Sequence, residues 1–198
     1  MTDSQIVNIG VEGDLDEVVL KQMLKYARIE VAHVYGKRGK DDLRENIKRY
    51  NQAAQHGKWV ILVDLNHDAE CPPPFISSWL PARSPGLQLR IAVRAVEAWL
   101  LADRNEMARF LGVPGHRIPT YPEAEENPKA TLIKIARRSK RKVIREDIVP
   151  SVNTTAIQGP GYTTRLIEFT RTRWDPERAS LNAPNLKRSI NSLLQWRT

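Results

Sequence analysis

Within about 65 residues the chain switches repeatedly between short β-prone runs and helical periodicity, and this alternation constrains the fold more than any other feature. Residues Ile6 to Val11 form the first β-prone run. After the turn Glu12-Gly13, Asp14 with Glu17 three residues later reads as a capping box. It opens a helix over about 15–27, with Leu15, Val18, Val19 and Met23 on the inner face. A second run, Ile29 to Tyr35, leads through the loop GKRGK into a helix marked by Leu43, Ile47, Tyr50 and Ala54 and closed at Gly57. The third run, WVILV from Trp59 to Val63, is apolar throughout, too short for a helix, and reads as a strand covered on both faces. Strands separated by helices in this way predict parallel βαβ units, because each parallel pair needs a crossover.

The pattern continues past a proline-rich bend at 72–85 into a fourth strand, 87–93, and a helix over about 94–103. Asp103 with Glu106 repeats the capping-box pattern ahead of EMARFLG, a short helix that stops at Gly112. Beyond residue 114, Pro119, Pro122 and Pro128 punctuate a loop, a basic helix covers about 129–140, and GPGY (159–162) precedes helices near 163–173 and 184–196. The expected organisation is an α/β core over 1–115 with a mainly helical C-terminal extension, 116–198, packed on it. No internal repeat or low-complexity tract interrupts it.

Composition bounds the function classes. Lysine and arginine total 31 against 23 aspartate and glutamate, a net charge of +8, and the sequence pI is near 9.8; both point towards polyanionic partners. Cys71 is the sole cysteine, which excludes an internal disulfide or a cysteine metal cluster and suits a reducing cytoplasm. No stretch has the length and apolarity of a membrane span or export signal.

Ligands of open parallel sheets collect beyond the carboxyl ends of the strands. Two predicted strands end in acid there, the first at Glu12 and the third at Asp64, followed by Asn66, His67 and Asp68. Two bare carboxylates about 4 Å apart repel by about 4 kcal/mol at an effective dielectric near 20, so a divalent cation or a basic side chain is expected between them. Oxygen ligands without cysteine favour Mg²⁺ or Mn²⁺ over zinc. The plainer readings are a Glu12 stabilised by the following helix dipole, an Asp64 capping a turn, and a solvated Asp68 and His67. Glu97, in RAVEAWLLAD, falls at the border of a core face set by Val96, Trp99 and Leu100. It reads either as an ion-pair partner for Arg90, Arg94 or Arg104 or as a further acid at the same sheet edge.

NIGVEGDLDEVVL, VILVDLNHDAECPP, LRIAVRAVEAWLLAD, a late GPGY and WDPERAS followed by NLKRSI together resemble a bacterial Toprim-like family known only as a domain of unknown function. The resemblance covers nearly the whole chain. It implies a compact parallel sheet flanked by helices, with a glutamate after the first strand and an Asp-x-Asp after the third. Carried onto this chain, the glutamate is Glu12 and the first aspartate Asp64. The second aspartate falls on Asn66, which keeps a carbonyl oxygen but loses a charge, and Asp68 is the nearest substitute. The resemblance also implies Mg²⁺-dependent phosphodiester chemistry and an ABC-type or SMC-like ATPase partner in phage-defence gene pairs.

Basic residues complete the reading. Residues 134–145, KIARRSKRKVIR, hold seven cations and no acid; such a run is either a solvated face or a polyanion contact. Arg137, Arg138, Lys140 and Arg141 are the phosphate-binding candidates within it. Lys37, Arg38 and Lys40 lie in a loop expected at the same edge as the acids, and Arg90 lies on the fourth strand. The leading expectation is a metal-dependent nuclease with Glu12, Asp64 and Glu97 as catalytic candidates and Glu12, Asp64, Asn66 and Asp68 as metal ligands. The competing expectation is a non-cutting adaptor that docks on an ATPase or nucleic acid. Neither a GxGxxG nor a GxxxxGK[ST] phosphate loop occurs.

Overall fold

A computed structural model describes residues 5–196. The chain divides into two compact units, one of residues 5–93 with 188–196 and the other of residues 94–187.

The first unit alternates β1 (Gln5–Val11), α1 (Asp14–Tyr26), β2 (Ile29–Gly36), α2 (Lys40–Ala53), β3 (Trp59–Asp64), α3 (Pro72–Trp79) and β4 (Leu87–Ala92). All strand pairs are parallel and the order is β2-β1-β3-β4. The expected α/β architecture is therefore present. β3 sits inside the sheet, which explains its uninterrupted apolar sequence: Trp59 to Val63 are all buried. Right-handed crossovers place α1 and α2 on opposite faces, because the chain steps one way from β1 to β2 and the other way from β2 to β3. One face is filled by Leu43 and Ile47 of α2, Ile61 and Val63 of β3, Phe75 and Trp79 of α3, and Leu87, Leu89 and Ile91 of β4. β2 is an edge strand, and four of its residues, Glu30, Ala32, His33 and Tyr35, are exposed along it, as is Lys37 just beyond it.

Local chemistry departs from the sequence reading at three points. Asp14 is the first residue of α1 rather than its cap. The cap is Gly13, which has no side chain to offer a cap bond, and Asp14 pairs with Lys37 at 2.6 Å. The bend at 72–85 contains α3, whose three leading prolines occupy a first turn that needs no amide donors. α2 ends at Ala53 with Ala54 in right-handed geometry, ahead of Gly57.

The second unit is helical: α4 (Val96–Ala102), α5 (Arg104–Leu111), α6 (Pro128–Ala136), α7 (Lys142–Ile148), α8 (Tyr162–Thr172), α9 (Pro176–Ser180) and the start of α10 (Pro184–Gln195), with 3₁₀ turns at Gly115–Arg117 and Pro122–Ala124. Every residue of α4 is buried, which makes it the central helix of this unit. Trp99 donates to Asn185 Oδ1 at 3.1 Å, and Trp174 donates to the Trp99 carbonyl at 3.0 Å. Asp103 occupies the N-cap position of α5, but its side chain makes no cap hydrogen bond. Only 3% exposed, it accepts from Arg178 Nη2 at 2.7 Å, Arg178 Nε at 3.1 Å and the Asp175 amide at 3.1 Å. Gly112 closes α5 in left-handed geometry as its position predicts. Among the described residues no helix is long and apolar enough to cross a membrane.

Candidate functional site

The strand order fixes where a ligand is best received. Strands are added to one side of β1 and then to the other, so the crevice beyond the carboxyl ends of the parallel β1 and β3 is the topological switch point of the sheet. Glu12 directly follows β1 and Asp64 ends β3, and these strands are hydrogen-bonded neighbours. The Glu12 carboxylate crosses the switch point: its Oε1 accepts the backbone N–H of Asp64 at 2.7 Å. Both residues are partly exposed. Two acids 52 positions apart thus share one locus at the sheet edge.

The loops around this locus carry unusual backbone. Lys37 (φ 70°) and Asn66 (φ 51°) are non-glycine residues in the left-handed region, and Gly36 and Gly39 also have positive φ. A β-carbon at Gly36 would lie 2.5 Å from the Val11 carbonyl oxygen, so only glycine lets β2 leave the sheet here. The Lys37 amide then donates to Val11 O at 2.8 Å and the Gly39 amide to Glu12 O at 3.0 Å, fixing the backbone that carries Glu12. Left-handed non-glycine residues cost of order 1–3 kcal/mol each and concentrate at functional sites.

Most of the lysines and acids around these loops are mutually paired. Lys37 Nζ reaches Asp14 at 2.6 Å and Glu17 at 2.9 Å, and Lys21 reaches Glu17 at 2.6 Å. Burial alone would raise the Glu17 carboxyl, but the hydrogen bonds from Lys21 and Lys37 outweigh it and hold it below its ordinary value. The same bonds, to Asp14 and Glu17, raise Lys37. Lys40 pairs with Asp68 at 2.8 Å and lies 5.5 Å from the centre of the Phe75 ring. Arg38 is exposed on the same loop, as are Asn66 and His67 on theirs. Asp16, one turn into α1 and 8% exposed, is a buried acid near Glu12 in the chain that the sequence reading passed over.

The remaining candidates lie elsewhere in their units. Arg90, on β4, is mostly buried, and its Nε has no hydrogen-bond partner; burial, assisted by the charge of Arg83, pushes its pKa down to about 10. Glu97 belongs to the second unit and is 5% exposed. The sequence placed it at the border of a core face, whereas α4 is buried all round and the Glu97 Oε1 accepts the Tyr162 hydroxyl at 2.9 Å. Tyr162 is the last residue of GPGY. The Gly159 and Gly161 amides in that motif donate to the carbonyls of Ile148 and Asp147, and a β-carbon at either glycine would strike Asp147 or Ile148. The motif is a rigid turn against α7 with those two amides already used.

The basic run divides. Lys134, Arg137 and Arg138 border an open hollow, whereas the Arg141 stem packs on Gly112 and its Nη1 donates to Phe110 O at 3.2 Å. Lys140 is exposed on the turn between α6 and α7. The sequence reading passed over His116 and Arg117, which border the same hollow from a different segment.

The donor set at the switch point suits a hard cation held by few protein ligands. Mg²⁺ commonly takes one or two carboxylates and completes its shell with water and substrate phosphate, which Glu12 and Asp64 can provide, with the Asn66 carbonyl as a neutral third oxygen. Among the described residues no group of three or more His, Cys, Asp or Glu is arranged to hold a metal ion. Compared with protein-family models, curated proteins and solved structures, the chain matches none.

Proposed function

We propose that this protein is a Mg²⁺-dependent Toprim-like nuclease in which Glu12 and Asp64 form the metal-binding pair. The observation that carries the proposal is the Glu12 to Asp64 hydrogen bond at the switch point of a parallel sheet. Bound there, the cation supplies Lewis acidity to a scissile phosphate and orients a water molecule. Glu12 holds or moves the proton of that water. Arg38 is the exposed cation of the adjoining loop available to a phosphate oxygen, while Lys37 and Lys40 brace the loops through Asp14, Glu17 and Asp68. The resemblance to Toprim-like proteins supplies the phosphodiester substrate, the ATPase partner and the phage-defence setting; the single exposed cysteine suits a cytoplasmic one.

The test is cleavage of labelled DNA and RNA with Mg²⁺ and with EDTA. Mg²⁺-stimulated cleavage that disappears in Glu12→Gln and Asp64→Asn supports the reading, and cleavage that persists in both rejects it.

A second reading has its own observation. The position matching the second metal-binding aspartate is Asn66, and the nearby Asp68 is ion-paired with Lys40. A site with this reduced charge suits an adaptor that binds an ATPase or nucleic acid without cutting. Folded protein that binds a nucleic acid but shows no thermal shift with millimolar Mg²⁺ or Mn²⁺ favours the adaptor.

A further inference from the structure

The second unit holds an open cleft of about 710 Å³ lined by His116, Arg117, Lys134, Arg137 and Arg138, with Thr131 and Glu125 among its walls. Lys134 and Arg137 also border an adjoining hollow of about 250 Å³ that contains Lys129. We propose that this double hollow binds the phosphodiester backbone of a nucleic acid strand, with Arg117, Lys134, Arg137 and Arg138 as its phosphate contacts. The proposal deepens the nuclease reading and rests on it for the class of polymer.

Charge balance is the first argument. Some cations of the fold meet carboxylates, among them Lys37, Lys40, Arg165, Arg173 and Arg178. Among the described residues, Arg117, Lys134, Arg137 and Arg138 form no ion pair, and all four are exposed. Glu125 is the one carboxylate in the cleft wall, and it is engaged by the Thr131 hydroxyl at 2.6 Å. Four like charges against one carboxylate leave the cleft with an excess of positive charge, and an anionic ligand relieves the repulsion among them.

Geometry is the second argument. Lys134, Arg137 and Arg138 stand at i, i+3 and i+4 at the end of α6, so they project from one side. A cation in the last turn of a helix has a structural explanation, since it complements the helix dipole. Arg117 does not share it. It comes from the separate 3₁₀ turn Gly115–Arg117 and faces the same cleft. Three guanidinium groups offer planar forks that bind phosphate oxygens in pairs. The shared ridge of Lys134 and Arg137 lets successive phosphates run from one hollow into the next, which suits a polymer better than an isolated phosphate.

Fluorescence anisotropy of a labelled single-stranded oligonucleotide, in EDTA, tests this apart from metal-dependent cleavage. Alanine at all four positions is expected to weaken binding at least tenfold and to flatten the log-log salt slope by about 2–3 between about 50 and 200 mM NaCl. Lysine at Arg117, Arg137 and Arg138 should keep most of the slope. A charge-matched control with Lys25, Arg44, Lys48 and Lys142 changed to alanine should keep both affinity and slope. The proposal is overturned if the folded fourfold variant binds like wild type, if the control loses as much, or if wild type binds no oligonucleotide. Displacement by millimolar inorganic phosphate, or binding only to phosphatidylserine vesicles, also overturns it. Binding that follows the four residues in a protein without nuclease activity leaves this site standing and removes only the catalytic reading.

Discussion

The Glu12 carboxylate accepts the Asp64 amide at 2.7 Å, joining the ends of β1 and β3 through a side chain rather than a further rung of the ladder. A charge-assisted bond of this kind ties the site to the stability of the sheet. Glu12→Ala should destabilise the protein by about 1–3 kcal/mol, since it strands a partly buried amide. Glu12→Gln keeps an acceptor oxygen and should cost less than about 1 kcal/mol, so any loss of activity it causes is chemical. Urea unfolding of the two variants measures the difference.

Asn66 sits in the left-handed region with φ 51°. Aspartate tolerates that conformation nearly as well as asparagine, so Asn66→Asp should fold normally. The added charge should tighten Mg²⁺ binding several-fold, read as a larger thermal shift at fixed Mg²⁺.

The lowered Glu17 carboxyl gives a signed prediction. A depressed folded value contributes stability that is present above the ordinary value of 4.5 and is lost as pH falls through the folded value. Wild type should therefore lose more stability than Glu17→Gln on acidification below about pH 4.5. Lys37→Met, which removes one of the two ammonium partners, should lie between them. Thermal midpoints taken across the acid range check the order.

Arg90 predicts the opposite behaviour. Its pKa is pushed down to about 10, so below that pH the folded protein carries a disfavoured buried charge that the unfolded chain does not. Arg90→Met should raise the thermal midpoint near pH 7, because it removes a largely buried charge whose Nε has no hydrogen-bond partner. A midpoint lowered at neutral pH would contradict this account.

Asp103 anchors the second unit. It is 3% exposed and meets Arg178, whose side chain remains 51% exposed. Breaking a fully buried pair costs about 3–5 kcal/mol, and solvent at Arg178 reduces this. Asp103→Ala should cost about 2–3 kcal/mol, while Arg178→Lys, which loses the two-pronged contact, should cost about 1 kcal/mol. Chemical denaturation distinguishes the two.

What the sequence made legible follows from how each element is solvated. β3 announced itself because an interior strand is apolar on both faces, and its position next to β1 turned two distant acids into neighbours. α3 was hidden because Pro72, Pro73 and Pro74 read as a bend, although a first helical turn accepts prolines without loss. Asp14 and Asp103 read as side-chain caps; Asp103 does stand at the N-cap position, but Lys37 and Arg178, from segments distant in the chain, take the carboxylate oxygens of the two aspartates. Glu97 was misplaced for a related reason: the periodicity of a short helix marks one core face, and α4 is buried on every side. The cleft around Arg117 was invisible because its cations come from two separated segments, of which only the basic run stands out in the sequence.

The account stands on Glu12 and Asp64 acting together on a divalent cation. Mn²⁺ titration followed by electron paramagnetic resonance measures this directly. Wild type should remove free Mn²⁺ at a single site, with binding at least about tenfold weaker in both Glu12→Gln and Asp64→Asn. Wild type that leaves Mn²⁺ free, or variants that bind it as wild type does, would contradict it.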